Sequence, residues 1–119
     1  MFEYHCWAVL PDFGDRDAER RLEAELRDRI AALDEGSRES FHVTNLNTLL
    51  VTASGLRNHG QPLVLGVFEW IAEQWPGSHG LMYVAPDHPD ADGHWRYHVQ
   101  KISHGRIEYL EDRYFEILG

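Results

Sequence analysis

The run Leu63-Val64-Leu65-Gly66-Val67-Phe68-Glu69-Trp70-Ile71-Ala72-Glu73-Gln74-Trp75, closed by Pro76-Gly77, decides the fold. Leu63, Val67, Ile71 and Trp75 recur at i,i+4 while Val64 and Phe68 widen the row, which predicts a helix with a broad apolar face. Pro76 disfavours α geometry in the residue before it, so the helix ends at Trp75. At about 1.5–3 kcal/mol for each large side chain fully buried, this face supplies an upper bound on the order of 10 kcal/mol before chain entropy is subtracted. It is the core helix.

Upstream, Phe2 to Leu10 reads as a strand with Phe2, Tyr4, Cys6, Ala8 and Leu10 on one face and Glu3, His5, Trp7 and Val9 on the other. Both faces are partly apolar, the pattern of an interior strand, and Pro11 and Gly14 close it. Asp15 to about Asp34 reads as a helix: Ala18, Leu22, Leu26, Ile30 and Leu33 form one stripe, Asp15 suits the N-cap and Gly36 a C-terminal stop. Its charged outer face, with pairs such as Glu23 and Arg27, reads as a solvated surface. Ser40 to Asn45 and Thr48 to Thr52 are short strands around a turn at Leu46 and Asn47, and Ser54 to Gly60 reads as a polar loop.

Downstream, Gly80 to Ala85, His94 to Ile102 and Gly105 to Tyr109 read as three further strands. The order β-α-β-β-α-β-β-β predicts an α+β fold, a largely antiparallel sheet with both helices packed on one face. Residues 1–119 are expected to form one domain, since domains cluster near about 100–150 residues. Pro86 to Gly93 is a projecting acidic loop from which the prolines and the terminal Gly exclude regular structure.

Apolar residues make up 43% and charged residues 26% of the 119, values of a chain that folds unaided. The formal charge of −9 argues against nucleic acid as a direct ligand and suits a basic partner, although acidity also serves plain solubility. The single cysteine, Cys6, has no internal disulfide partner, and its place in an apolar strand reads as a buried thiol rather than a nucleophile. With no export signal and no run approaching the roughly 20 apolar residues of a membrane span, the expected location is the cytoplasm.

Catalytic and metal signatures are weak. His94 and His98 sit in a strand, where four residues at ~3.3 Å each place the rings about 13 Å apart, too far to share one zinc. Asp87, Asp90 and Asp92 fail the calcium-loop register, with Pro89 at its third place. No serine lies in a G-x-S-x-G elbow, and Gly77-Ser78-His79-Gly80 follows a helix instead of opening one, so it reads as a helix-to-strand turn. Neither a metal nor a cofactor is expected. Trp7, Trp70 and Trp95 read first as core, but Trp7 or Trp70 would anchor a partner if it faced outward. A competing reading is a small-molecule-binding or hydrolytic domain that uses His5, His59 or His79 as a base near Glu3 or Glu73. A third is a structural adaptor with a large exposed apolar face.

Phe2-Glu3-Tyr4-His5-Cys6-Trp7-Ala8, Ser54-Gly55-Leu56-Arg57-Asn58-His59 and above all Trp70-Ile71-Ala72-Glu73-Gln74-Trp75-Pro76-Gly77-Ser78-His79-Gly80-Leu81-Met82-Tyr83-Val84 resemble the immunity protein 7 family of bacterial polymorphic toxin systems. Two departures are visible: Cys6 stands where the family has Gly in a Tyr-His-Gly-Trp pattern, and Pro86-Asp87-His88-Pro89-Asp90 replaces a more compact acidic run. The resemblance implies a stoichiometric, non-catalytic inhibitor of a secreted toxin encoded beside it, acting in the cytoplasm; no catalytic residue carries over. An acidic binder would be drawn to a basic toxin, such as a nuclease, by long-range attraction. Asp87, Asp90 and Asp92 in the projecting loop, with Glu108, Glu111 and Asp112 near the C-terminus, are the expected partner-binding residues.

Overall fold

In the computed structural model, which describes residues 2–57, 62–85 and 88–117, the elements in chain order are β1 (Phe2–Leu10), α1 (Arg16–Ala31), α2 (Glu35–Glu39), β2 (Phe41–Asn45), β3 (Leu49–Arg57), α3 (Pro62–Gln74), β4 (His79–Ala85), β5 (Trp95–Ser103) and β6 (Arg106–Ile117). The strands form one six-stranded sheet in the order β2-β3-β1-β4-β5-β6, and every neighbouring pair is antiparallel. As its two apolar faces predict, β1 is interior: all of its residues pair with β3, and Glu3 to Val9 also pair with β4.

Phe2, Tyr4, Cys6, Ala8 and Leu10 of β1 are buried, while His5 and Trp7 between them are exposed. The buried row meets both long helices. Leu26 and Ile30 of α1, then Leu33, share one core with Val64, Val67, Phe68 and Ile71 of α3 and with Val51, Met82 and Ile102 of the sheet. Phe41 stacks on Phe68 at 5.7 Å between ring centroids, and the Trp75 indole N–H donates to the Pro11 carbonyl at 2.8 Å, tying the end of α3 to the end of β1. Asp15 caps α1 as expected, its Oδ1 accepting from the Ala18 N–H at 3.0 Å. The fold is therefore α+β with α1 and α3 on the same side of the sheet, and the other side lies uncovered by them.

Three boundaries differ from the sequence reading. Gly36 does not end the first helix: α1 stops at Ala31, and Asp34 caps a new short helix, α2, by accepting from the Ser37 N–H at 3.4 Å. A second N-cap residue placed so soon after the first helix restarts the chain before Gly36 can act as a terminator. Ser54 to Arg57 are not loop but the second half of β3, because Phe2 to His5 of β1 pair there. Within that half, Gly55 lies opposite Tyr4, and a Cβ at Gly55 would run into the Tyr4 hydroxyl and ring. This glycine makes room for the buried tyrosine, whose hydroxyl donates to Ser40 Oγ at 2.9 Å. The residues 58–61 of the expected loop lie outside the described residues. The last strand runs well past Tyr109, to Ile117, as an edge strand whose aromatic residues stay exposed.

Between β5 and β6, pairing holds from Ser103 with Arg106 up to His98 with Glu111, then resumes at Arg96 with Glu116. The span from Arg96 to His98 holds one intervening residue and that from Glu111 to Glu116 holds four, so the surplus lies in β6. Asp112 anchors that bulge by accepting from the backbone N–H groups of Tyr114 at 3.0 Å and Phe115 at 3.3 Å.

Gly80 sits where β1 and β4 leave no room for a side chain: a Cβ there would collide with the Trp7 carbonyl and the Ala8 Cα, which are backbone and have no rotamer to change. Gly80→Ala is therefore expected to destabilise the protein by at least the ~1–3 kcal/mol typical of overpacking. Urea unfolding checks this as a lowered midpoint at similar slope; an unchanged midpoint would mean that β1 and β4 do not approach this closely.

Candidate partner-binding face

On the uncovered side of the sheet, strand alternation and register set the side chains out in rows. One row runs Ser54, His5, Tyr83, Val99 and Leu110 from β3 to β6; the next runs Thr52, Trp7, Leu81, Lys101 and Glu108. Trp7 is 38% exposed, and Leu50, Leu56 and Phe115 add apolar surface that water reaches. A face built this way meets the condition under which Trp7 was expected to act as an anchor. Trp70 does not: it is buried under the Arg29 guanidinium, 4.8 Å from the ring centroid, and Trp95 is half-buried.

Beside Trp7 the face dips into a groove of about 540 Å³ lined by His5, Trp7, Leu81, Tyr83, Tyr97 and Phe115. The β6 bulge creates its far wall, because it turns Phe115 onto rings from two other strands: Phe115 meets Tyr83 at 6.4 Å and Tyr97 at 6.0 Å, and these tyrosines meet each other at 5.6 Å, all edge to face. Both tyrosine hydroxyls end on carboxylates. Tyr97 donates to Glu3 Oε2 at 2.7 Å, and Tyr83 donates to Asp112 Oδ1 at 3.4 Å. His5 Nε2 also contacts Glu3 Oε2.

The electrostatics follow from these contacts. The hydrogen bond to Glu3, with burial, pushes the Tyr97 phenol up to about 12. Burial and then the Asp112 charge raise Tyr83 above its ordinary value. Glu3 is held below the usual carboxylate range first by the Tyr97 hydroxyl and next by His5, so it is an anion at neutral pH. Cys6 lies on the opposite, buried face, where desolvation drives its thiol up to about 12 and keeps it protonated and unreactive.

Among the described residues, the expected acidic contacts fall on different faces of the fold. Asp87 lies outside the described residues. Asp90 braces its loop: its Oδ1 accepts from the Asp92 N–H at 3.0 Å and the His94 N–H at 2.9 Å, its Oδ2 lies 3.8 Å from the Arg96 guanidinium, and the backbone bonds hold its carboxyl low. Asp92 is exposed. Glu108 stands on the uncovered face and pairs with Lys101 at 3.2 Å, while Asp112 holds the bulge beside the groove. Glu111 is exposed on the other side of β6, opposite His98. Among the candidate bases, His5 does meet Glu3, His79 is exposed and packs edge to face with Trp7 at 6.1 Å between ring centroids, and His59 lies outside the described residues.

Tyr83, Tyr97, Phe115 and Glu3 were missed as a group. Tyr83 and Tyr97 sit at strand positions that alternation could have placed on one face, but Phe115 reaches them only through the bulge, which no local pattern announces.

Among known proteins, the family described as Immunity protein 7 matches residues 1–117. No curated protein and no solved structure matches the chain. No helix among the described residues is long and apolar enough to cross a membrane.

Tyr97→Phe removes the first of the contacts that hold Glu3 low, so the Glu3 carboxyl should titrate closer to its ordinary 4.5, as followed by NMR. Because folded Glu3 ionises below its unfolded value, its contribution to stability is present above the unfolded pKa and fades as pH falls through the folded one. The stability gap between wild type and variant should thus be widest near neutrality and narrow as the pH drops below about 4. A gap constant over that range would remove the Tyr97–Glu3 bond as the cause.

Proposed function

Since the chain belongs to the immunity protein 7 family, we propose that it protects the cell that makes it as a stoichiometric, non-catalytic inhibitor, binding a cognate toxin domain in the cytoplasm and occluding that toxin's working surface. The family match over residues 1–117 carries the immunity role. The mode of action rests on physical arguments. A formal charge of −9 favours a basic toxin, of the nuclease type, because such a partner is steered in from a distance and its substrate channel is the surface most attracted to acid.

Protection requires that the toxin stay bound at cellular concentrations. Nanomolar affinity is about −12 kcal/mol, which exposed acids do not supply, because ion pairs at the rim of an interface are each worth little. The division of labour is then a desolvated anchor on the aromatic face of the sheet, surrounded by charges that set the rate of encounter. Asp87, Asp92, Glu108 and Glu111 are the proposed steering charges. Asp90 and Asp112 contribute by shaping the loop and the bulge that present them.

One observation favours the hydrolytic alternative: His5 contacts Glu3, and Ser54 is the cross-strand neighbour of His5. Stoichiometry separates the two readings. Titrating the protein into the toxin domain encoded beside it should abolish toxin activity linearly with a break at one equivalent, whereas a catalyst would act well below equivalence.

Replacing Asp92, Glu108 and Glu111 together by Asn, Gln and Gln should slow association with that toxin by about tenfold at low ionic strength, flatten its salt dependence and leave dissociation nearly unchanged. Stopped-flow or surface-based kinetics at several salt concentrations provide the measurement. An association rate equal to that of wild type would take these acids out of the interface.

A further inference from the structure

Resting on the inhibitor reading above, we propose that the groove between Trp7 and the Tyr83–Tyr97–Phe115 cluster is a receptacle for an arginine side chain presented by the basic toxin, with Glu3 as the acceptor at its rim.

The occupant follows from what the groove is made of. Aromatic surface alone would accept any apolar group, but two carboxylates, Glu3 and Asp112, stand beside this groove, each hydrogen-bonded to a tyrosine that lines it. Covering those carboxylates with an apolar partner would strip their water and return nothing. A second copy of the chain would set like charges against each other in a molecule whose formal charge is already −9. A cation resolves both difficulties. It satisfies the carboxylate and is attracted to the electron-rich faces of the rings.

The details favour guanidinium over ammonium. Both contacts to Glu3, from Tyr97 and from His5, fall on Oε2, and among the described residues Oε1 has no hydrogen-bond partner. A planar fork of N–H donors can give a carboxylate hydrogen bonds in its own plane while its face stacks on a ring, a combination that suits guanidinium better than a compact, strongly hydrated ammonium. Phenols that donate to carboxylates are polarised toward the phenolate, so the Tyr83 and Tyr97 rings present more negative faces than free tyrosine. The volume of about 540 Å³ lies within the usual range for a small-group site of roughly 300–1,000 Å³, enough for an arginine and part of its neighbour. The fold already makes this kind of pairing internally, with Arg29 over Trp70 at 4.8 Å.

The probe for the groove itself is a short oligoarginine peptide compared with an oligolysine peptide of equal length, each titrated into the intact protein while tryptophan fluorescence and tyrosine ring resonances are followed. Binding of the arginine peptide should be several-fold tighter, and Trp7→Leu, which leaves the net charge unchanged, should weaken it by about tenfold, while Trp7→Phe restores most of it. Trp7→Leu is a substitution on the uncovered face, so the fold should persist, and a circular dichroism spectrum and urea midpoint check that it does. Equal binding of the two peptides, unaffected by Trp7→Leu, would overturn the proposal in favour of diffuse charge attraction. So would concentration-dependent self-association that Trp7→Leu abolishes, since the groove would then be filled by a second copy.

The toxin then separates this proposal from the reading beneath it. If wild type neutralises the toxin at one equivalent and Trp7→Leu raises the dissociation constant by about tenfold or more, arginine capture is part of inhibition. If wild type neutralises and Trp7→Leu binds the toxin just as tightly, the groove proposal falls while the inhibitor reading stands. Failure of the wild type to neutralise the toxin overturns the inhibitor reading and this proposal with it.

Discussion

Strand β1 carries backbone hydrogen bonds to both neighbours, and this central pairing fixes the character of every surface around it. Its side chains alternate with a period of two, so one ladder sends Tyr4, Ala8 and Leu10 into the helices and Glu3, His5 and Trp7 to the far side. Registers with β3 and β4 extend that division across the sheet. The helices need only one face to bury their apolar stripes, and the other face is left with aromatic residues that the core does not claim. The exposure of Trp7 is thus a consequence of how Tyr4 is buried, and a one-residue slip of β1 would exchange the two.

How much of this was legible follows from whether the deciding contacts were local. The core helix, the alternating first strand and the Asp15 cap could be read directly, because each depends on residues within a turn or two of one another. Ser54 to Arg57 could not, since their composition suggests a loop and only the demand of Phe2 to His5 for backbone partners makes them strand. Gly55 was misleading for the same reason: it serves Tyr4, which is distant in sequence. Gly36 was overruled by its near neighbour Asp34, a competition between two local signals. The continuation of β6 beyond Tyr109 was hidden because an edge strand with exposed aromatics has no buried period to reveal it.

The candidate site divides along the same line. Trp7 could be named as a conditional anchor because the face it takes depends only on its own strand. The convergence of Tyr83, Tyr97 and Phe115 depends on two strand registers and a bulge, and Glu3 joins them through a hydrogen bond from a residue near the opposite end of the chain. Acidic residues chosen from the sequence turned out to differ in what they do. Asp90 and Asp112 use their carboxylates on nearby backbone, whereas Asp92 and Glu111 stand in solvent. Formal charge counts these acids equally; their geometry does not.

The bulge in β6 has a bearing on how the protein behaves at high concentration. A long outer strand with exposed aromatic residues is a template onto which another chain can zip, and such edges are where soluble sheets begin to aggregate. Here the four residues from Asp112 to Phe115 face a single residue of β5, Tyr97, so the regular ladder ends at Glu111 and the far end of the edge offers a less regular template than the stretch before it. An irregular outer edge of this kind is one of the devices by which sheets discourage strand-to-strand pairing between copies.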